Sequence, residues 1–185
     1  MKFKIFYEND IPTNNINDNF HKWFDGSKIL DSNGNPLILY HGTDDTFDEF
    51  ILDHENKKDV GWLGYGIYLT NSKPIAKMYS ISNNSKDAKI MELYVNMKNP
   101  YYVKDAHKQK SYIKGIQDTK GRDAAIKAIK DLTDMAIKKG HDGVIATTFP
   151  NTTAESIEYV VFDPTNIKSV NNNGDWSTIN PNIYK

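Results

Sequence analysis

Apolar residues fall along this chain in short blocks separated by polar punctuation, and the spacing inside each block names an element. Phe20, Trp23 and Phe24 recur at helical spacing, which predicts a short helix docked by its aromatic face. Asp31-Ser32-Asn33-Gly34-Asn35-Pro36 reads as a turn, since Asn and Gly accept the positive φ of tight turns. The continuous run Leu37-Ile38-Leu39-Tyr40 behind it predicts a buried strand ending at His41-Gly42-Thr43, which delivers polar groups to the rim of a cleft. Gly64-Tyr65-Gly66-Ile67-Tyr68-Leu69-Thr70 predicts a second strand entered through glycines. Ser72-Lys73-Pro74 then marks a helix start with proline in the first turn, carrying Ile75, Ala76, Met78 and Tyr79.

Residues 90–95 predict a further strand, and residues 121–139 an amphipathic helix whose stripe of Ile126, Ile129, Leu132, Ala136 and Ile137 is core. Gly140 is placed to cap that helix, Val144-Ile145-Ala146 is a short strand, and residues 149–156 form a polar loop with a proline. Glu158-Tyr159-Val160-Val161-Phe162-Asp163 is the closing strand, in which Glu158 shares a face with Val160 and Phe162. Strands mixed irregularly with helices give an α+β domain and not a doubly wound sheet. Residues 1–19 read as an N-terminal segment and 20–185 as one domain.

Composition narrows the picture. There is no cysteine among the 185 residues, which excludes disulfides, thiolate metal sites and a cysteine nucleophile. His21, His54, His107 and His141 have no metal-ligand spacing between them, so no metal is expected. No apolar run approaches the roughly 20 residues of a membrane span, and the first residues lack a secretory apolar core, so a cytoplasmic protein without membrane association is expected. A net charge of −1 gives no strong footprint for duplex DNA, although a local basic groove is compatible with it. The glycines from 61 to 66 precede neither Lys-Ser nor Lys-Thr and open no helix, which excludes a P-loop or Rossmann cradle.

Three separated motifs carry chemistry in combination. Tyr40-His41-Gly42-Thr43, Gly64-Tyr65-Gly66-Ile67-Tyr68 with Tyr79 eleven residues later, and Glu158-Tyr159-Val160 resemble, in order and wording, the diphtheria-toxin-like and poly(ADP-ribose)-polymerase-like ADP-ribosyltransferases. Their signature is a His, a Tyr and a Glu from three strands. The similarity runs from about residue 22 to about residue 170 and is greatest to domains of bacteriophage and mobile-element polyvalent proteins. It implies an ADP-ribosyltransferase-like fold: two small, mostly antiparallel sheets forming a split β-core with flanking helices.

It also implies the chemistry. NAD is the co-substrate, nicotinamide leaves, and ADP-ribose passes to a macromolecular acceptor, protein ahead of RNA or DNA, in a toxin or phage-host conflict setting. His41, Tyr68 and Glu158 inherit the catalytic positions. His41, Gly42, Thr43, Tyr68 and Tyr79 inherit NAD binding, with His41 on the adenosine ribose, the Gly42 backbone on the nicotinamide amide, and the two tyrosines around the nicotinamide ring. Glu158 holds a ribose hydroxyl and favours the developing positive charge. Asn151, Glu155 and Ser156 belong to a loop expected to select the acceptor. Two departures stand out: Ala76 replaces the serine that polymerase-type members direct at nicotinamide, and Ser156 replaces the first glutamate of the Glu-x-Glu pattern of arginine-specific toxins. NAD hydrolysis by the same triad and a non-catalytic NAD or ADP-ribose binding module are the alternatives.

Overall fold

The computed structural model describes residues 16–52, 61–81, 88–148 and 156–185. Helix α1 (Asp18–Phe24) begins where the Asn17 side-chain oxygen accepts the amides of Asn19 and Phe20, each at 3.0 Å. Its apolar face sets Phe20, Trp23 and Phe24 against Tyr94, Val170 and Trp176, with Phe20 edge-on to Trp176 at 4.7 Å. Asn17 and Asn19, ahead of the expected boundary at Phe20, donate to the Gly174 carbonyl at 3.0 and 3.2 Å. The turn at 31–36 is tied by the Asp31 carboxylate, which accepts the amides of Asn33 and Asn35 at 2.8 Å. Those bonds, the one from Asn35 first, hold Asp31 below the usual carboxylate range.

Among the described residues seven strands follow: β1 (Leu39–Thr43), β2 (Ile67–Thr70), β3 (Lys89–Val95), β4 (Tyr101–Val103), β5 (Gly143–Thr148), β6 (Ser156–Val161) and β7 (Ile167–Ser169). They lie in the order β4-β5-β6-β2-β1-β3-β7, and every pairing is antiparallel except β4 with β5. The α+β class therefore holds. The two expected sheets correspond to β4-β5-β6-β2 and β1-β3-β7, which hydrogen bonding joins into one sheet through the single register pair Tyr40↔Thr70. One core cluster gathers Ile29, Leu39, Leu93, Met97, Val161, Ile167 and Ile183; another, with Leu63, Val144, Ala146 and Val160, lies against the helix that follows β4.

Three further helices lie among the described residues: α2 (Lys73–Ser80), α3 (Ala106–Lys120) and α4 (Arg122–Lys138). The end of α4 is closed as expected, with Gly140 at φ +84, its amide donating to Ile137 O and the amide of His141 to Ala136 O. The buried face of α4 differs from the expected stripe: Ala125, Ile129 and Thr133 are buried and Ile137 is exposed. Thr133 can occupy the core because its hydroxyl donates to Ile129 O at 3.0 Å and accepts the Tyr65 amide at 2.6 Å.

Other boundaries also move. His41, Gly42 and Thr43 lie inside β1 and not past its end, because they continue the ladder with Met91, Ile90 and Lys89 of β3. The second strand begins at Ile67, where its register with Val161 begins. The Glu158 strand starts two residues early and stops at Val161, and β7 closes the sheet after a 3₁₀ turn (Pro164–Asn166) capped by Asp163. On β7, Lys168 is fully buried, with Nζ donating to the carbonyls of Asn180 at 2.6 Å and Asn182 at 2.9 Å. Burial pushes its ammonium from 10.5 down to about 8. Among the described residues no helix is long and apolar enough to cross a membrane.

Candidate active site

The sheet opens where its halves meet, and the opening is a cavity of about 500 Å³. That lies within the roughly 300–1,000 Å³ of small-molecule sites. Tyr40, His41 and Gly42 come to it from β1, Tyr68 and Thr70 from β2, Ile75 and Tyr79 from α2, and Glu158 from β6. Phe47 and Phe50, which follow β1, and Trp62, which precedes β2, complete much of the wall.

His41 sits at the point of separation. Its Nδ1 is 2.8 Å from the backbone carbonyl of Tyr68. A carbonyl only accepts, so Nδ1 carries the hydrogen in this contact. Phe50 meets the ring edge-on at 5.0 Å, with Phe47 at 6.4 Å, so packing as well as hydrogen bonding fixes the imidazole plane.

Tyr68 is held by its hydroxyl. The oxygen accepts the amides of Trp62, Leu63 and Gly64 at 3.1, 3.1 and 3.3 Å and donates to Gly64 O at 2.8 Å. Three successive amides thus wrap one oxygen, and the half-buried ring lies against the cavity. Burial, against the pull of these amides, pushes the phenol up, and the negative charge of Glu158 adds to the effect. Gly61 takes part by its absence of a side chain: a Cβ there would lie 2.6 Å from the Tyr68 hydroxyl.

Glu158 is 8% exposed on β6, directly across from Thr70, which in turn pairs with Tyr40. Tyr40, Thr70 and Glu158 therefore form one cross-strand row over the junction of the two half-sheets. Thr70 is itself buried, and its hydroxyl accepts the Ser72 amide at 3.1 Å, which fixes the start of α2.

Gly42 has a packing reason to be glycine. A Cβ would stand 1.7 Å from the Ala76 carbonyl oxygen, so α2 lies directly on the β1 backbone. Ala76 is 1% exposed beneath it and does not line the cavity. Tyr79, one turn on, is 57% exposed and does. His41, Gly42, Tyr68, Tyr79 and Glu158 are thus brought together.

Thr43 and Ser156 are not brought to the cavity. The Thr43 hydroxyl accepts the Asp45 amide at 3.0 Å, and Ser156 is 2% exposed with its hydroxyl 2.8 Å from that of Thr148. Asn151 and Glu155 lie outside the described residues. Tyr40, Phe47, Phe50, Trp62 and Thr70 are wall residues that motif reading passed over. The Phe47-x-x-Phe50 pair just past His41-Gly42-Thr43 was the available signal. Asp142, just before β5, is structural: its carboxylate accepts the amides of Lys98 and Asn99. Among the described residues no group of His, Asp or Glu could hold a metal.

The model of a family described as ADP-ribosyltransferase in polyvalent proteins matches residues 31–177. The chain belongs to that family. The match spans β1 through β7, so it contains every described wall of the cavity. No curated protein is significantly similar to the chain. As a member of the ADP-ribosyltransferases the protein is a transferase, and the family's substrate is NAD.

Proposed function

We propose that the cavity binds NAD and that the protein transfers ADP-ribose from it to a macromolecular acceptor, in the cytoplasm, during conflict between a mobile element and its host. What supports the reading is the convergence of His41, Tyr68 and Glu158, from three strands, on one cavity of about 500 Å³. The donor set fits the substrate. An aromatic ring held rigidly by its hydroxyl and a second exposed tyrosine suit a flat nicotinamide ring, and His41 Nε2 suits a ribose hydroxyl.

The reaction balances without a metal or a redox partner. The ribose–nicotinamide C–N bond breaks with its electron pair going to the ring nitrogen, which loses its positive charge. A nucleophile of the acceptor then supplies a pair to the same ribose carbon and gives up its proton. Glu158 contributes a negative charge in a site where burial weakens screening, so it opposes the positive charge that spreads over the ribose as the bond lengthens. Tyr68 and Tyr79 restrict the leaving ring to one plane, and His41 positions the remote end of the substrate.

The test is Glu158→Gln, which keeps shape and removes charge. Nicotinamide release should fall by at least ~10²-fold, the scale of a preorganised charge-stabilising group, while calorimetric affinity for a non-reactive NAD analogue is nearly retained. Near wild-type turnover would refute the assignment. Release of nicotinamide from NAD alone, undiminished and unstimulated by cell extract, would make the protein an NAD hydrolase.

A further inference from the structure

The net charge of −1 conceals a segregation. Residues 104–139, which form α3 and α4, hold ten Lys and Arg against five Asp, a net charge of +5; the remaining residues hold thirteen against nineteen, or −6. The five acids are largely committed locally. Asp105 accepts the Lys108 amide as the cap of α3, Asp118 pairs with Lys114 at 2.7 Å, and Asp131 with Lys127 at 2.6 Å. Lys104, Lys108, Lys110, Lys114 and Lys120 are all exposed, while α3 buries only Ala106 and Ile113.

This basic helix abuts the mouth of the cleft. Gln109 Nε2 donates to the Trp62 carbonyl at 2.9 Å, and Lys110 Nζ lies 5.8 Å from the centre of the Trp62 ring, which lines the cavity. His107, Lys110 and Lys114 follow one another at i, i+3 and i+7, so they share a side of α3. An exposed aromatic stands beside the charges: Tyr112, 58% exposed, lies one turn on from Lys108 on the outer side of α3.

We propose that α3, with its exposed Tyr112, is a docking surface for a single-stranded nucleic acid that serves as the acceptor. The inference rests on the transferase reading of the cleft. Charge complementarity carries it: a polyanion is drawn to the +5 segment and repelled by the −6 remainder, which orients it along α3 toward Trp62 and the ribose. Exposed aromatics amid cations are the means by which single strands are held without base-specific readout. A protein acceptor of ordinary charge would gain nothing from this segregation, so nucleic acid takes precedence over the protein acceptor expected above.

The test compares the wild-type chain with Lys108→Gln/Lys110→Gln/Lys114→Gln, which keeps helix propensity and removes three charges. Fluorescence anisotropy with labelled single-stranded RNA and DNA oligonucleotides reads docking, and nicotinamide release from NAD without acceptor reads the cleft. Wild type should bind with a log–log salt slope of about −2, at about −0.7 per phosphate contact. The variant should bind at least ~10-fold more weakly and with a flatter slope, with nicotinamide release unchanged. Tighter binding of one oligonucleotide identifies RNA or DNA. No wild-type binding at low salt, equal binding by the variant, or displacement by an acidic peptide as effective as by oligonucleotide would overturn the proposal. Absence of nicotinamide release with binding intact would fault the transferase reading and leave the docking surface standing.

Discussion

Replacing Tyr68 by Phe would remove one oxygen and leave three amides, of Trp62, Leu63 and Gly64, facing an apolar ring edge. Each buried polar group left unsatisfied costs roughly 1–3 kcal/mol, and water can reach some of them, so Tyr68→Phe should lose about 2–4 kcal/mol. At about 2–4 °C per kcal/mol for a chain of this size, Tm should drop by roughly 5–15 °C in a calorimetric melt. Binding of an NAD analogue should weaken far less in Tyr68→Phe than in Tyr68→Ala, because only the latter removes the ring face. Equal losses in the two variants would mean that the hydroxyl acts on substrate and not on the 61–64 loop. His41→Ala acts differently, since it releases the Tyr68 carbonyl and unpacks Phe47 and Phe50. It should raise KM for NAD more than it lowers kcat, as expected where contacts exist in ground and transition states alike.

At the scale of elements, α2 depends on Gly42. With a Cβ 1.7 Å from the Ala76 carbonyl, Gly42→Ala must push the helix off β1 and carry Ile75 and Tyr79 with it, because both the obstacle and the strand are backbone. We expect a cost of at least about 1–3 kcal/mol, the range for forced repacking, with NAD-analogue affinity falling alongside stability. Denaturant unfolding and calorimetry would check the pair, and a variant with wild-type stability would show that α2 does not lie on Gly42 as described. The elements legible in the sequence are those whose pattern is periodic or continuous: α1, β1, β2, α2, β3, α4, β5 and β6. α3 escaped because a helix that buries only Ala106 and Ile113 shows almost no apolar stripe. β4 and β7 have three residues each, and β7 carries its buried lysine in the middle of the strand. Motif wording singled out His41, Tyr68 and Glu158, which the fold brings to one cavity. The row Tyr40, Thr70, Glu158 needed register, which one residue of slip would reverse and which no local pattern contains.

For the molecule as a whole, alkaline pH separates two opposed sets of buried groups. Lys168, fully buried on β7, titrates at about 8 in the fold and near 10.5 when unfolded. Between those values the unfolded chain binds the extra proton, so stability should rise with pH, by on the order of 1 kcal/mol per pH unit. Burial acts in the other direction on tyrosines: Tyr159 is pushed up to about 12, and Tyr68 and Tyr94 are raised from 10.0 as well. Above pH ~10 the unfolded chain sheds phenolic protons that the fold retains, so stability should then fall, and more steeply because several groups contribute. The expected profile of unfolding free energy from urea titrations is a rise from pH ~8 to ~10 followed by a decline. Lys168→Met should abolish the rise and keep the decline. Its absolute stability also reports the tether that Lys168 makes to the carbonyls of Asn180 and Asn182, but the slope is independent of that loss. A wild-type profile that is flat or falling from pH 8 to 10, or a rise that survives in Lys168→Met, would show that the buried ammonium does not govern alkaline stability.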